Sequence, residues 1–122
     1  MADITRIIAG PIPQTAVQFW NNVSVSAGAT KTYELNAGQC YGVDIIVNTD
    51  LDPSASDGGT LKIYKKTGSA GTKCNTESFA KALDDDPDGA AFTLSPGTWS
   101  IEVTNDDGTY PLTLNGWYRL LT

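Results

Sequence analysis

The chain contains no histidine. The side chain that most often serves as a general base near neutral pH is therefore missing, and the ordinary triad enzymes go with it. Glutamate is scarce too, with only Glu34, Glu77 and Glu102 among 122 residues. A glycosidase would have to draw its carboxylate pair largely from aspartate, in a domain whose size leaves little room for a deep cleft. The two cysteines, Cys40 and Cys74, match no metal-ligand spacing, so a structural zinc site would lack ligands. Two free thiols are expected in a reducing compartment, and a bridge only in an oxidising one. No glycine-rich phosphate loop is present, because neither Gly58-Gly59 nor Gly68 and Gly71 sit in a strand, loop and helix setting. The expectation is a protein that is not an enzyme and requires no cofactor.

Long apolar runs are absent as well, which excludes a membrane-spanning helix. The opening MADITRIIAG places Asp3 ahead of Arg6 and carries too short an apolar stretch for a signal peptide. Synthesis in the cytoplasm without a signal peptide is the expected localisation, with no membrane partner. Positive charge is in short supply, eight Lys and Arg against fourteen Asp and Glu, for a net charge of −6. Such a field repels phosphate backbones, so nucleic acid is not an expected partner.

What the chain does have is strand-period alternation. Trp99, Ile101 and Val103 alternate with polar Thr98, Ser100, Glu102 and Thr104. Tyr41, Val43, Ile45 and Val47 repeat the pattern, and Leu112, Leu114, Tyr118 and Leu120 continue it. Shorter pieces are Val17 with Phe19, Val23 with Val25, Tyr33 with Leu35, and Leu61 with Ile63. Turn formers stand between these runs: Ala27-Gly28, Ala37-Gly38, Asp57-Gly58-Gly59, Pro96-Gly97 and Asp107-Gly108. The reading is all-β, an antiparallel β-sandwich or jelly roll over residues 15–122. Its expected core is Val43, Ile45, Val47, Ile63, Trp99, Ile101, Val103, Leu112 and Leu114. One helical turn is entertained at Thr76 to Leu83, where Phe79 and Leu83 stand four apart. Residues 1–14, with Pro11 and Pro13 around Ile12, suit an extended N-terminal arm that packs on a neighbouring subunit.

Three features are candidates for function. Asp84, Asp86 and Asp88 followed by Gly89 reproduce the opening of a calcium loop, in which alternate carboxylates converge on one hard cation. The closing glutamate is missing, since Ser95 stands eleven residues after Asp84, and a solvated acidic loop is the competing reading. Lys62, Lys65, Lys66 and Lys73 gather in one stretch just before this loop, as solvated faces or as one half of a charge-complementary contact between copies. Trp20, Trp99 and Trp117 raise the question of a carbohydrate-stacking platform; the alternation puts Trp99 in the core and leaves Trp117, opposite Tyr118 and beside Arg119, as the ambiguous one.

From Ser24 to Trp117 the succession SVSAGATKTYEL, CYGVDIIV, TLKIY, LSPGTWSIEVTN and YPLTLNGW resembles the pre-peptidase C-terminal type of jelly roll. That resemblance implies a domain that is usually appended to a secreted enzyme and binds surfaces or calcium. An acidic, unexported sandwich with a proline-broken arm is also similar, in architecture, to small accessory proteins of tailed-phage virions, such as head-decoration or fibre-base proteins. This second resemblance implies a non-enzymatic structural protein of a larger assembly, located in the virion. Its expected partners are a phage capsid or tail lattice and itself, as a homo-oligomer for which a trimer is the guess. The expected interface residues are Ile7, Ile8, Ile12, Lys65 and Lys66. A carbohydrate- or calcium-binding β-sandwich module is the alternative.

Overall fold

The computed structural model describes residues 15–38, 40–66 and 79–122. The proposed arm with Ile7, Ile8 and Ile12, together with Lys73, Cys74 and Thr76, lies outside the described residues. The described chain forms eight strands: β1 (Val17–Val25), β2 (Thr30–Ala37), β3 (Gly42–Leu51), β4 (Gly59–Lys66), β5 (Phe79–Leu83), β6 (Asp88–Leu94), β7 (Gly97–Asn105) and β8 (Leu112–Leu121). They build two four-stranded sheets, in the orders β1-β8-β3-β6 and β2-β7-β4-β5. All pairings are antiparallel, and β1 meets β8, β2 meets β7, β3 meets β6 and β4 meets β5. That nesting is what results when one long hairpin is rolled up, so the sandwich is a jelly roll.

Alternation explains why these segments are strands and which face each buries. On β3, Val43, Ile45 and Val47 are fully buried while Ile46 between them is 44% exposed. On β7, Trp99, Ile101 and Val103 point into the same core, and Leu112 and Leu114 of β8 meet them from the facing sheet. Every residue of the expected core is buried, and Trp20, Val25, Leu35, Leu61, Leu83 and Leu94 complete it. Turns expected at Ala27-Gly28 and Pro96-Gly97 use glycine's freedom, with φ of +73° at Gly28 and +140° at Gly97.

Three expectations need correction. Phe79 to Leu83 is strand β5, paired with β4 from Ile63↔Phe79 to Gly59↔Leu83, and not a helical turn. A spacing of four puts two residues on one face of a strand as readily as on one face of a helix, and here Phe79 packs toward Phe92 and Trp99 while Leu83 is fully buried. Tyr41 does not belong to the inward set of β3: it precedes the strand and is 72% exposed. β1 departs from simple alternation because its pairing with β8 shifts between Gln18 and Trp20 and again between Trp20 and Val23. These bulges bury Trp20 and leave Val17 46% exposed.

The bulged strand fits only because position 116 is glycine. A Cβ there would lie 2.9 Å from the Phe19 ring and 3.0 Å from that of Trp20. Phe19 is itself held between neighbours, stacked on Tyr33 at 4.2 Å, with Tyr118 at 6.2 Å. Gly116→Val is therefore expected to destabilise the domain by about 1–3 kcal/mol through overpacking, read as a lower thermal or urea midpoint.

Candidate functional site

The outward positions of the β1-β8-β3-β6 sheet are ordered in transverse rows, set by strand pairing. The middle row runs Gln18, Trp117, Ile46, Ala91 across β1, β8, β3 and β6. Trp117 is half-buried, and its indole N–H has no acceptor among the described residues. Toward one end of the sandwich lies a row of amides. Asn115 is opposite Asn48, and Asn48 is opposite Gly89. Asn115 Oδ1 accepts from Gln18 Nε2 at 3.2 Å and from the Asn22 amide at 3.0 Å, while its Nδ2 donates to Asn22 Oδ1 at 3.2 Å. Asn22 reaches this network because the β1 bulge holds it at a φ of +49°, a left-handed conformation that asparagine tolerates. Gly89 is what leaves room for Asn48, whose Oδ1 would stand 2.7 Å from a Cβ at position 89.

Toward the other end lies a charged row. Arg119 Nη2 donates to Asp44 Oδ2 at 2.7 Å, and Thr93 Oγ1 donates to Asp44 Oδ1 at 2.8 Å. The hydrogen bonds from Arg119 and Thr93 hold the Asp44 carboxyl below the usual carboxylate range. Because β6 contributes only Gly89 and Ala91 to the first two rows, the surface dips beside the Trp117 ridge. One groove of about 360 Å³ is lined by Asn48, Asp50, Pro87, Asp88, Asn115 and Trp117. A second, of about 280 Å³, is lined by Asp44, Ile46, Ala91, Thr93 and Arg119 among others. The arrangement is a flat aromatic flanked by polar groups on paired strands.

The acidic loop lies beside this face. Asp86 Oδ1 accepts from the Leu51 amide at 3.1 Å. Asp88 is turned into the sandwich edge, where Lys81 of β5 donates to its Oδ1 at 3.2 Å and also to the Gly89 carbonyl. Burial pushes the Asp88 carboxyl up, but the Asp85 and Gly89 amides and Lys81 together outweigh it and leave its pKa lowered. As placed, Asp84, Asp86 and Asp88 do not converge on one point: no group of three or more His, Cys, Asp or Glu among the described residues is positioned to hold a metal ion. Of the interface candidates, Lys66 Nζ pairs with Glu34 at 2.5 Å. Lys65 Nζ donates to Ser95 Oγ and the Pro96 carbonyl and sits 4.8 Å over the Trp99 ring. Cys40 is a free thiol whose Sγ donates to the Ala37 carbonyl at 3.1 Å.

A site the sequence reading did not anticipate pins three loops, β1–β2, β3–β4 and β7–β8, at one end of the sandwich. Asn105, 1% exposed, donates from Nδ2 to the Val25 and Tyr110 carbonyls and accepts the Asp107 amide. Asp107 accepts four backbone amides, those of Ser56 and Asp57 on Oδ1 and those of Thr109 and Tyr110 on Oδ2. The amides of Tyr110, Thr109 and Asp57 lower its pKa to about 2. The signal was the run Asn105-Asp106-Asp107-Gly108, whose side chains favour hydrogen bonds to nearby backbone.

No family model matches the chain, and no curated protein matches it in sequence. Solved structures do resemble it. The pre-peptidase C-terminal domain of a collagenase from Bacillus anthracis superposes with a TM-score of 0.51 at 13% identity, covering 88% of both chains. A structure of infectious bursal disease virus, Gx strain, gives 0.50 at 13% identity over 91% of this chain and 32% of that one. A carbohydrate-binding module in complex with calcium and xylotriose gives 0.44 at 12% identity over 89% of this chain. What the first two share with this protein is the sandwich fold, the one expected from the pre-peptidase C-terminal resemblance.

Proposed function

We propose that the chain is a non-enzymatic structural module that works as a homo-oligomer, a trimer in the simplest closed ring, within a larger assembly. We take that assembly to be a tailed-phage virion, in which the protein serves as a decoration, cement or fibre-base component. The observation that supports this reading is the charge polarity of a stiff body. Asp50, Asp52, Asp57, Asp84, Asp85, Asp86, Asp88, Asp106 and Asp107 all lie at the end where the β1–β2, β3–β4, β5–β6 and β7–β8 loops meet, nine of fourteen acids with no Lys or Arg inside those loops. At the opposite end Lys65 is held by neutral oxygens, so its charge is not cancelled by the contacts that position it. An acidic end and an uncancelled cation at the other favour head-to-tail contact, which closes into a ring when the rotation permits. Exposed ion pairs are individually weak, so charge sets orientation and apolar burial, to which residues 1–14 are suited, supplies the affinity.

Light scattering of the full chain beside one lacking residues 1–13, each at low and high salt, tests the proposal. The full chain is expected to be oligomeric and to dissociate partly as salt rises. A monomer throughout, with no retention on a virus-sized particle, would overturn it.

A further inference from the structure

We propose that the outer face of the β1-β8-β3-β6 sheet binds a neutral oligosaccharide, with Trp117 as the stacking surface and Asn48 and Asp50 as hydroxyl-binding groups. This inference is independent of the oligomeric state proposed above.

The face has the composition that sugar recognition needs. A pyranose presents an apolar C–H face and a rim of hydroxyls that both donate and accept, so it calls for an aromatic plane beside planar amides or carboxylates. Trp117 is the one tryptophan on the surface, since Trp20 and Trp99 are only 3% and 5% exposed. Beside it the polar groups divide into two kinds. Gln18, Asn22 and Asn115 are bonded to one another and form a fixed support. Asn48, Asp50 and Trp117 line the same groove, and their side chains have no hydrogen-bond partner among the described residues, so their capacity is open to a ligand.

Length and charge narrow the class. Alternate residues on a strand are about 6.7 Å apart, so the amide, aromatic and charged rows together span about 13 Å along β3 and β8, enough for an oligosaccharide and more than one sugar needs. Asp50 and Asp88 border the larger groove, Arg119 is already neutralised by Asp44, and the whole chain carries −6. Uronates, sulfated glycans and sialylated glycans meet net repulsion there. A neutral hexose or N-acetylhexosamine chain does not.

The test is affinity electrophoresis of the full chain through gels containing a soluble neutral β-glucan, a galactomannan, glycol chitin or alginate, followed by tryptophan fluorescence titration with oligosaccharides of any retained polymer. Retention by at least one of the three neutral polymers and not by the anionic alginate is expected, with a change in emission that comes from Trp117. Trp117→Ala should weaken binding about tenfold or more, and Asn48→Ala should weaken it by a smaller factor. Trp117→Phe should restore part of the loss. Both positions face outward, so thermal melts of the three variants serve as the folding control. Absence of retention on all three neutral polymers, preference for alginate, or unchanged retention in folded Trp117→Ala overturns the proposal.

Discussion

Ile101→Asp is expected to abolish the cooperative thermal transition of this protein, whereas Ile46→Asp should melt within a few degrees of the parent. The two isoleucines sit on interior strands of opposite sheets and differ in the direction they face. Ile101 is fully buried on β7, directly opposite Tyr33 of β2 and Ile63 of β4. Losing its burial removes about 1.5–3 kcal/mol, and placing a carboxylate among Trp99, Val103 and Leu114 adds several more, because no partner is there to neutralise it. The sum rivals the 5–15 kcal/mol that holds a typical domain together. Ile46 lies on the outer face, 44% exposed, where a carboxylate stays hydrated. Circular dichroism melts of the two variants check the pair. A folded Ile101→Asp protein with unchanged melting would mean that the inward and outward sets of β7 are exchanged.

Legibility followed the regularity of each strand. β3 and β7 alternate apolar and polar residues in sequence over most of their length, and the core residues named on them are all buried, although Thr98 and Ser100 on the polar side of β7 are buried as well. β1 resisted because its two register shifts change which residues face inward, and nothing in the local sequence counts the extra residues. β5 resisted because a pair spaced by four suits either helix or strand, and only its pairing with β4 decides between them. The grooved face was less legible still. Trp117 stood out by composition, but Gln18 and Asn115 are 97 positions apart and become neighbours only because the first and last strands pair. The acidic run Asp84 to Asp88 drew attention as a local motif. Its Asp88 proved to be paired with Lys81 of the other sheet, which no ligand-spacing rule contains.

Acidification below about pH 4 should weaken the fold steeply, and Asp107 should account for the largest share of that loss. Its carboxylate takes four backbone amides from the β3–β4 and β7–β8 loops, which lowers its pKa from the ordinary 3.8 to about 2. A group whose folded pKa is depressed stabilises the protein fully above its unfolded pKa. That contribution then fades as pH falls from 3.8 through about 2, where the folded form also takes up its proton. Asp44 and Asp88 are shifted in the same direction and add to the same window. Asp107→Asn separates the pinning role from general charge. Asparagine keeps the shape but offers one acceptor oxygen, so one pair of amides, either Ser56 with Asp57 or Thr109 with Tyr110, faces an NH2 group and loses its partner. The variant should melt about 10 °C lower at pH 7 and show a shallower decline between pH 4 and 2. Melting curves of both proteins across pH 2 to 7 give the comparison directly. If the parent and Asp107→Asn lose stability in parallel through that window, the acid sensitivity belongs to other carboxylates, and the four-amide clamp does not control how tightly the acidic end is held.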